Sequence, residues 1–326
     1  MRDVPQAKVD WLLAQGRPAD AIALVATAAQ AGDPAALYQQ AIWKLAGHPL
    51  ARDLKGARAL LRRAADAGEI NAAMTEVALT ANGTGAPASW AEAVARLRQA
   101  AKSHAAARSQ SELLDAMSLD AAGSPVTLPA ARKVGVRPDV LHFAGLFSPQ
   151  ECLHVAQAAA DILAPATVVD PNTGRNVANP VRTSDGAVIG PTRETLVIQA
   201  LNRRIAAISA TDVRQGEALA ILRYAPGQEF RPHLDSIAGA GNQRTKTVLV
   251  YLNDGFSGGA TTFVRSGLSV TPRAGDAIMF DNVGPDGTPD PEAIHAGEPV
   301  IRGTKWLATR WIRARPFDVW TGPEAA

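Results

Sequence analysis

Residues Tyr224–Asp235 read YAPGQEFRPHLD, and a second stretch further along, Ala293–Trp306, reads AIHAGEPVIRGTKW. In the first, the Pro226-Gly227 turn leads into an extended run where His233 and Asp235, two residues apart, project from the same face of a strand. Both can reach one metal ion. His295, on a segment that ends at the Gly303-Thr304 turn, is a third ligand, and two histidines with one carboxylate on a rigid strand scaffold form a facial triad suited to non-haem Fe(II). His-x-Asp alone is a common surface pair, so the reading depends on its surroundings. Lys305, the tenth residue after His295, is flanked by Trp306 and Leu307 and so places a cation inside an apolar barrel. A buried ammonium needs an anionic partner. A protein carboxylate would serve, as would the far carboxylate of a dicarboxylic cosubstrate that chelates the metal through its other end; the second is the favoured reading.

Around these stretches lie short apolar or alternating runs punctuated by Gly, Pro and Asp: Glu217–Ala225, Thr245–Asp254, Ala260–Val264, Leu268–Pro272, Asp276–Phe280 and Lys305–Arg313. Strands this closely spaced predict an antiparallel sandwich or barrel. Upstream, a strand signal over Val140–Leu146 leads to a helix start at Ser148-Pro149-Gln150-Glu151, with an N-cap serine, proline at the first helical position and glutamate at the capping-box position. A second helix is expected near Arg193–Ser209. Before residue 122 the composition changes to alanine-rich amphipathic helix, as in Ala57–Glu69, ARALLRRAADAGE. Shifting this part against itself by 36 residues superposes Val25, Leu61 and Leu97, and also Ala28, Ala64 and Ala100. Such a period predicts a short stack of helical hairpins. Residues 123–137 carry Pro125, Pro129 and scattered charge without periodicity and read as a linker. The expected fold class is therefore α+β: a helical repeat domain over 1–122, the linker 123–137, and a β-rich domain with flanking helices over 138–326.

Two resemblances sharpen this. The repeats resemble the Sel1-like class, relatives of the tetratricopeptide repeat, in Asn82-Gly83-Thr84-Gly85 followed by Trp90, Ala93 and Ala100-Ala101. That resemblance implies a protein partner; the alternative is a helical extension that only buttresses its neighbour. Residues 138–315 resemble the prolyl 4-hydroxylase branch of the Fe(II)/2-oxoglutarate dioxygenases. The matching residues are Arg182-Thr183-Ser184, Tyr224–Asp235, Gly241-Asn242-Gln243-Arg244, Gly258-Gly259-Ala260-Thr261, PRAGDAIMF (Pro272–Phe280) and HAGEPVIRGTKWLATRW (His295–Trp311).

The second resemblance implies a double-stranded β-helix (jelly-roll) core. It implies iron on His233, Asp235 and His295, the distal carboxylate of 2-oxoglutarate on Lys305 and Tyr251, and Tyr224 and Thr247 lining the cosubstrate pocket. It also implies a substrate face in which Arg182 and Ser184 grip an extended peptide, with Glu217, Arg244, Trp311 and Arg313 alongside. Glu217 and Arg244 could instead simply pair with each other. The polar stretch Asp170–Pro191 around that loop reads as a functional lid. The implied activity is hydroxylation of an unactivated carbon with O2, procollagen-proline 4-dioxygenase-like, releasing succinate and CO2, with ascorbate a further candidate ligand. Three departures bear on the substrate. Phe230 stands where the branch usually has tyrosine, Leu234-Asp235-Ser236-Ile237 lacks the usual following aromatic, and Arg313 stands where histidine is frequent.

The 326 residues are 47% hydrophobic and 20% charged, well away from the composition of disordered chains. A net charge of +2 without long runs of one sign speaks against a nucleic-acid partner. The single cysteine, Cys152, reads as a buried small apolar residue and fits a reducing compartment, and the first thirty residues hold neither a signal-peptide core nor an apolar span. A cytoplasmic protein without membrane attachment is expected. His142 and His154 read as structural, and the tail Pro316–Ala326 as a frayed end, although Phe317 and Trp320 could cap the barrel. Competing functions are hydroxylation of a free amino acid or other small molecule, a catalytically idle interaction module, and a zinc hydrolase, which would have no need of Lys305.

Overall fold

A computed structural model describes residues 6–169 and 176–324 of the chain. Contacts gather them into two compact units: the residues up to Ser124 with Pro191–Ala200, and Pro125–Gly190 with Leu201 onward. Among the described residues no helix is long and apolar enough to cross a membrane.

In the first unit, helix Gln6–Ala14 precedes three helical hairpins: Pro18–Gln30 with Pro34–Ala46, Leu54–Asp66 with Ile70–Asn82, and Trp90–Ala101 with Ala105–Ala116. The hairpins begin at Pro18, Leu54 and Trp90, the 36-residue period read from the sequence, and the equivalent Val25, Leu61 and Leu97 are all buried. The side chains of Asp33, Asp53 and Ser89 each accept a bond from the backbone N–H three residues on, satisfying donors a helix start leaves open. Between the helices of the middle hairpin lies a buried ion pair, Arg58 Nε to Glu76 at 2.5 Å. Arg58 Nη1 also donates to the carbonyls of Leu79 and Thr84, so the charge is both paired and hydrogen-bonded.

The second unit is built on two antiparallel sheets. The larger runs Ala131–Val136, Asp139–Phe143, Ala277–Asp281, Arg244–Tyr251, Lys305–Arg313, Leu219–Tyr224, Asp185–Ile189, Ala164–Pro165 in spatial order. The smaller runs Ser269–Val270, Thr261–Phe263, His295–Gly297, Phe230–His233. Neighbouring strands far apart in sequence are the mark of the jelly-roll winding expected above. Buried side chains of both sheets, among them Leu222, Leu249, Tyr251, Phe263, Phe280 and Leu307, form one apolar cluster. Helix Pro149–Ala160 starts as read, with a complete capping box between Ser148 and Glu151, and the second helix spans Leu196–Ser209. Cys152 lies buried on the first of these, its Sγ 3.9 Å from the Tyr251 carbonyl, and burial pushes its thiol up to about 12.

Three expectations need correcting. The 123–137 stretch is not irregular throughout, because Ala131–Val136 pairs antiparallel with Asp139–Phe143. Most of its side chains are exposed at the sheet edge, so no apolar alternation marks it in the sequence. Of the expected lid Asp170–Pro191, residues 170–175 lie outside the described residues. The remainder includes Asn176–Ala178, paired with Thr167–Val169, and the strand Asp185–Ile189 inside the large sheet. The tail does not fray over its described length: Phe317 N donates to the Arg214 carbonyl at 3.2 Å, and Glu324 accepts from Gly241 N at 3.0 Å.

Gly275 sits at the turn into the Ala277–Asp281 strand with φ +84°, and a Cβ there would lie 2.1 Å from the Phe147 carbonyl oxygen. Both its conformation and its space exclude a side chain. Gly275→Ala is expected to lower the unfolding free energy by about 2–4 kcal/mol, seen as a lower urea midpoint; an unchanged midpoint would mean that the Phe147 carbonyl moves aside cheaply.

Candidate active site and metal centre

His233 closes the strand Phe230–His233 and is the direct cross-strand partner of His295 on His295–Gly297, which brings their ring centroids to 4.3 Å. Asp235, two residues past His233, sends Oδ1 to 3.6 Å from His233 Nε2 and Oδ2 to 3.8 Å from His295 Nε2. One ligand atom from each of the three lies within 4.8 Å of the others. Each histidine places Nδ1 on the carbonyl two residues before it, Arg231 at 2.8 Å and Ala293 at 3.0 Å. Nδ1–H donated there is the arrangement that leaves Nε2, the ring atom turned toward the carboxylate, to bind a metal. Burial, and then the neighbouring His295, bring His233 down to about 4, so its ring is neutral and able to ligate near neutral pH. Burial pushes the Asp235 carboxyl up, but His295, His233 and the Thr247 hydroxyl outweigh it and hold the group below its ordinary value. Two imidazole nitrogens and a carboxylate fit a divalent iron.

The orientation of Asp235 comes from the large sheet. Thr247 Oγ1 donates to Asp235 Oδ2 at 2.7 Å and accepts from Asn282 Nδ2 at 2.9 Å. Thr247, expected to line the cosubstrate pocket, is the direct cross-strand partner of the cavity-lining Trp311 and braces the metal ligand, while Leu249 on the same strand adds apolar wall.

Lys305 is 2% exposed. Its Nζ donates to the Gly259 carbonyl at 2.7 Å and lies 4.9 Å and 5.4 Å from the ring centres of Tyr251 and Tyr224. Among the described residues no carboxylate pairs with it, and burial lowers it to about 8. The ammonium is therefore desolvated and short of an anion, which is what the carboxylate of a bound dicarboxylate supplies. Gly259 makes the approach possible, since it has φ +65° and a Cβ there would already crowd Lys305 Cδ at 3.2 Å. Tyr251 meets Thr261 hydroxyl to hydroxyl at 2.5 Å beside the lysine. Thr261 lines the cavity and was missed as a site residue, although it closes the Gly258-Gly259-Ala260-Thr261 motif.

Triad and lysine face one common cavity. The strand Lys305–Arg313 explains how: Lys305, Leu307, Thr309 and Trp311 are alternate residues on one face, and all four line it. Leu222, Leu249 and Phe230 add apolar wall. The Phe230 ring stacks on His233 at 3.5 Å, and the Arg182 guanidinium lies 5.7 Å from the centre of the same ring.

The expected substrate-face residues divide into two groups. The Arg182-Thr183-Ser184 segment is stitched beside the metal strand: Thr183 N donates to the Glu229 carbonyl at 3.0 Å, Glu229 N to Thr183 Oγ1 at 2.9 Å, and Arg231 N to the Val181 carbonyl at 2.8 Å. Ser184 is fully buried next to Tyr224, whose phenol is raised by burial against the opposing pull of Arg182 and Ser184. Glu217 takes Arg244 on both oxygens, at 2.6 and 2.8 Å, and Arg313 Nε at 2.5 Å. The pairing left open in the sequence is thus made, with a third member. Arg244 also lies 4.0 Å over the Trp311 ring.

Comparison with known proteins bears on the same segment. Residues 219–313 match the model of the 2OG-Fe(II) oxygenase superfamily. Prolyl 4-hydroxylase 1 of Arabidopsis thaliana is 37% identical over 197 residues, which cover 55% of this chain and 70% of that protein. Probable prolyl 4-hydroxylase 3 of the same plant is 34% identical over 206 residues, covering 56% and 71%. The crystal structure of a viral collagen prolyl hydroxylase from Paramecium Bursaria Chlorella virus-1, in its 2OG complex, aligns with 26% identity, TM-score 0.44, and coverage of 54% and 96%.

Removing the brace on Asp235 tests the metal site directly. Thr247→Val keeps the shape but withdraws the hydroxyl, and is expected to weaken Mn(II) binding by roughly ten- to hundredfold, measured by isothermal titration. Unchanged affinity would show that the carboxylate orients itself without Thr247.

Proposed function

This chain belongs to the prolyl 4-hydroxylase branch of the 2OG-Fe(II) oxygenase superfamily, and from that premise we propose that it hydroxylates a peptide or protein substrate, at proline, releasing succinate and CO2. The observation that carries the reading is the common cavity of His233, Asp235, His295 and the anion-poor Lys305. Bound Fe(II) and 2-oxoglutarate supply the O2-dependent oxidising power. The protein's residues do the rest. His233, Asp235 and His295 would hold the iron, Lys305 would fix the distal carboxylate, with Tyr251 and Thr261 beside it, and Leu222, Leu249 and Leu307 keep water from that end. Arg182, beside the cavity-lining Phe230 and with a buried Nε that has no partner, is suited to hold the substrate's backbone carbonyls. Ascorbate as an added reductant belongs to the same proposal, as does a protein partner for the helical repeats.

Phe230 favours a second reading, hydroxylation of a free amino acid or other small molecule, because a ring without a hydroxyl offers an incoming peptide no hydrogen bond. Mass spectrometry after incubation with proline-containing peptides and with free amino acids separates the two by where the single added oxygen appears.

Lys305→Ala is expected to raise the 2-oxoglutarate requirement roughly ten- to hundredfold, the worth of a charge-assisted hydrogen bond, while Mn(II) binding changes little. Lys305→Arg should fail as well, because a longer planar guanidinium does not fit between Gly259 and the two tyrosines. Unaltered cosubstrate dependence in Lys305→Ala would make the lysine structural. Arg182→Ala is expected to weaken peptide-dependent turnover and leave slow substrate-free decarboxylation of 2-oxoglutarate nearly unchanged; equal loss of both would make the loop a support of the fold.

A further inference from the structure

Beside the cavity, charge is out of balance. Arg244 and Arg313 share the single carboxylate of Glu217, which leaves one guanidinium charge over. The chain's own tail takes it up: Glu324 Oε1 accepts from Arg313 Nη1 at 3.1 Å and Oε2 from Gly241 N at 3.0 Å. The receiving side is built and rigid. The Arg313 side chain is only 5% exposed and is pinned by Nε to Glu217 and by Nη1 to the Asn242 carbonyl at 2.7 Å. The occupant is the opposite, since the Glu324 side chain is 53% exposed and a half-solvated ion pair is weak and exchangeable. The position is also one step from the reaction cavity. Arg244, the other partner of Glu217, stacks on the cavity-lining Trp311 and points Nη1 at the Asp235 carbonyl, 3.4 Å away.

We propose that Arg313 Nη1 and Gly241 N form a carboxylate subsite for the substrate, and that Glu324 fills it in the free protein as an internal stand-in. The substrate class is then a peptide carrying an acidic side chain near the residue to be hydroxylated, and its carboxylate displaces Glu324 on binding. Arg313, which stands where the branch frequently has histidine, is the residue that gives the subsite its charge. The inference rests on the peptide reading of the substrate.

The test uses the full chain loaded with Mn(II) and 2-oxoglutarate, as wild type and as Glu324→Gln, with thermal unfolding to confirm that both fold alike. Each is titrated by calorimetry with two synthetic proline-containing peptides of equal length, one with glutamate beside the proline and one with glutamine. Each is also titrated with N-acetyl-glutamyl amide. Removing the internal competitor should tighten the acidic peptide about fivefold, the scale of an exposed ion pair, and leave the glutamine peptide unchanged. An equal gain for both peptides would show that the tail obstructs sterically, and no gain for any acidic probe would overturn the subsite. A gain for the capped glutamyl amide with neither peptide binding would support the subsite and retire the peptide reading.

Discussion

The site depends on one strand register. His233 and His295 come from strands far apart in the chain, and they meet because these two residues are direct antiparallel partners. A slip by one residue would turn one ring to the opposite face and separate it from Asp235. The large sheet repeats the constraint: Lys305 pairs with Tyr224, Leu307 with Tyr251, and Trp311 with Thr247. Lysine, tyrosines and metal brace are therefore placed by the same backbone bonds that hold the barrel together. His233, His295 and Lys305 all sit on paired strands, in line with the low tolerance of such sites for misplacement.

Within that frame, the buried acids of the site are each answered by several groups. Asp235 has two imidazoles and the Thr247 hydroxyl, and Thr247 in turn has Asn282. Glu217 has two guanidiniums. Lys305 has one carbonyl and two aromatic faces for a full charge, and among the described residues no carboxylate. Leaving an ammonium in that state costs stability unless an anion arrives. The same deficit gives a bound dicarboxylate its affinity.

The pairs His233 with Asp235 and His295 with Lys305 were legible because short spacings expressed them: two residues for one strand face, ten for a turn and its return strand. The repeat was legible because its period recurs three times, at Pro18, Leu54 and Trp90. The bracing role of Thr247 was not legible, because it is set by Asn282 and Asp235 from other segments of the chain, and no local pattern marks a threonine that holds a carboxylate. Ala131–Val136 escaped notice because an exposed edge strand buries too little to imprint a period of two. Glu324 could not have been found from sequence, since it meets Gly241 only after the whole barrel has closed between them.

The one cysteine has a consequence for durability. Iron and oxygen together generate stray oxidants, and thiolate sulfur is the side-chain atom most readily lost to them. Cys152 packs behind the Tyr251 carbonyl, shut from solvent, with its thiol held protonated up to about 12. Its susceptibility follows thiolate character and access, and the fold denies both. A catalyst arranged this way shelters its one thiol from its own leakage, so oxidative wear falls instead on groups such as the exposed Trp11 indole and the iron ligands themselves.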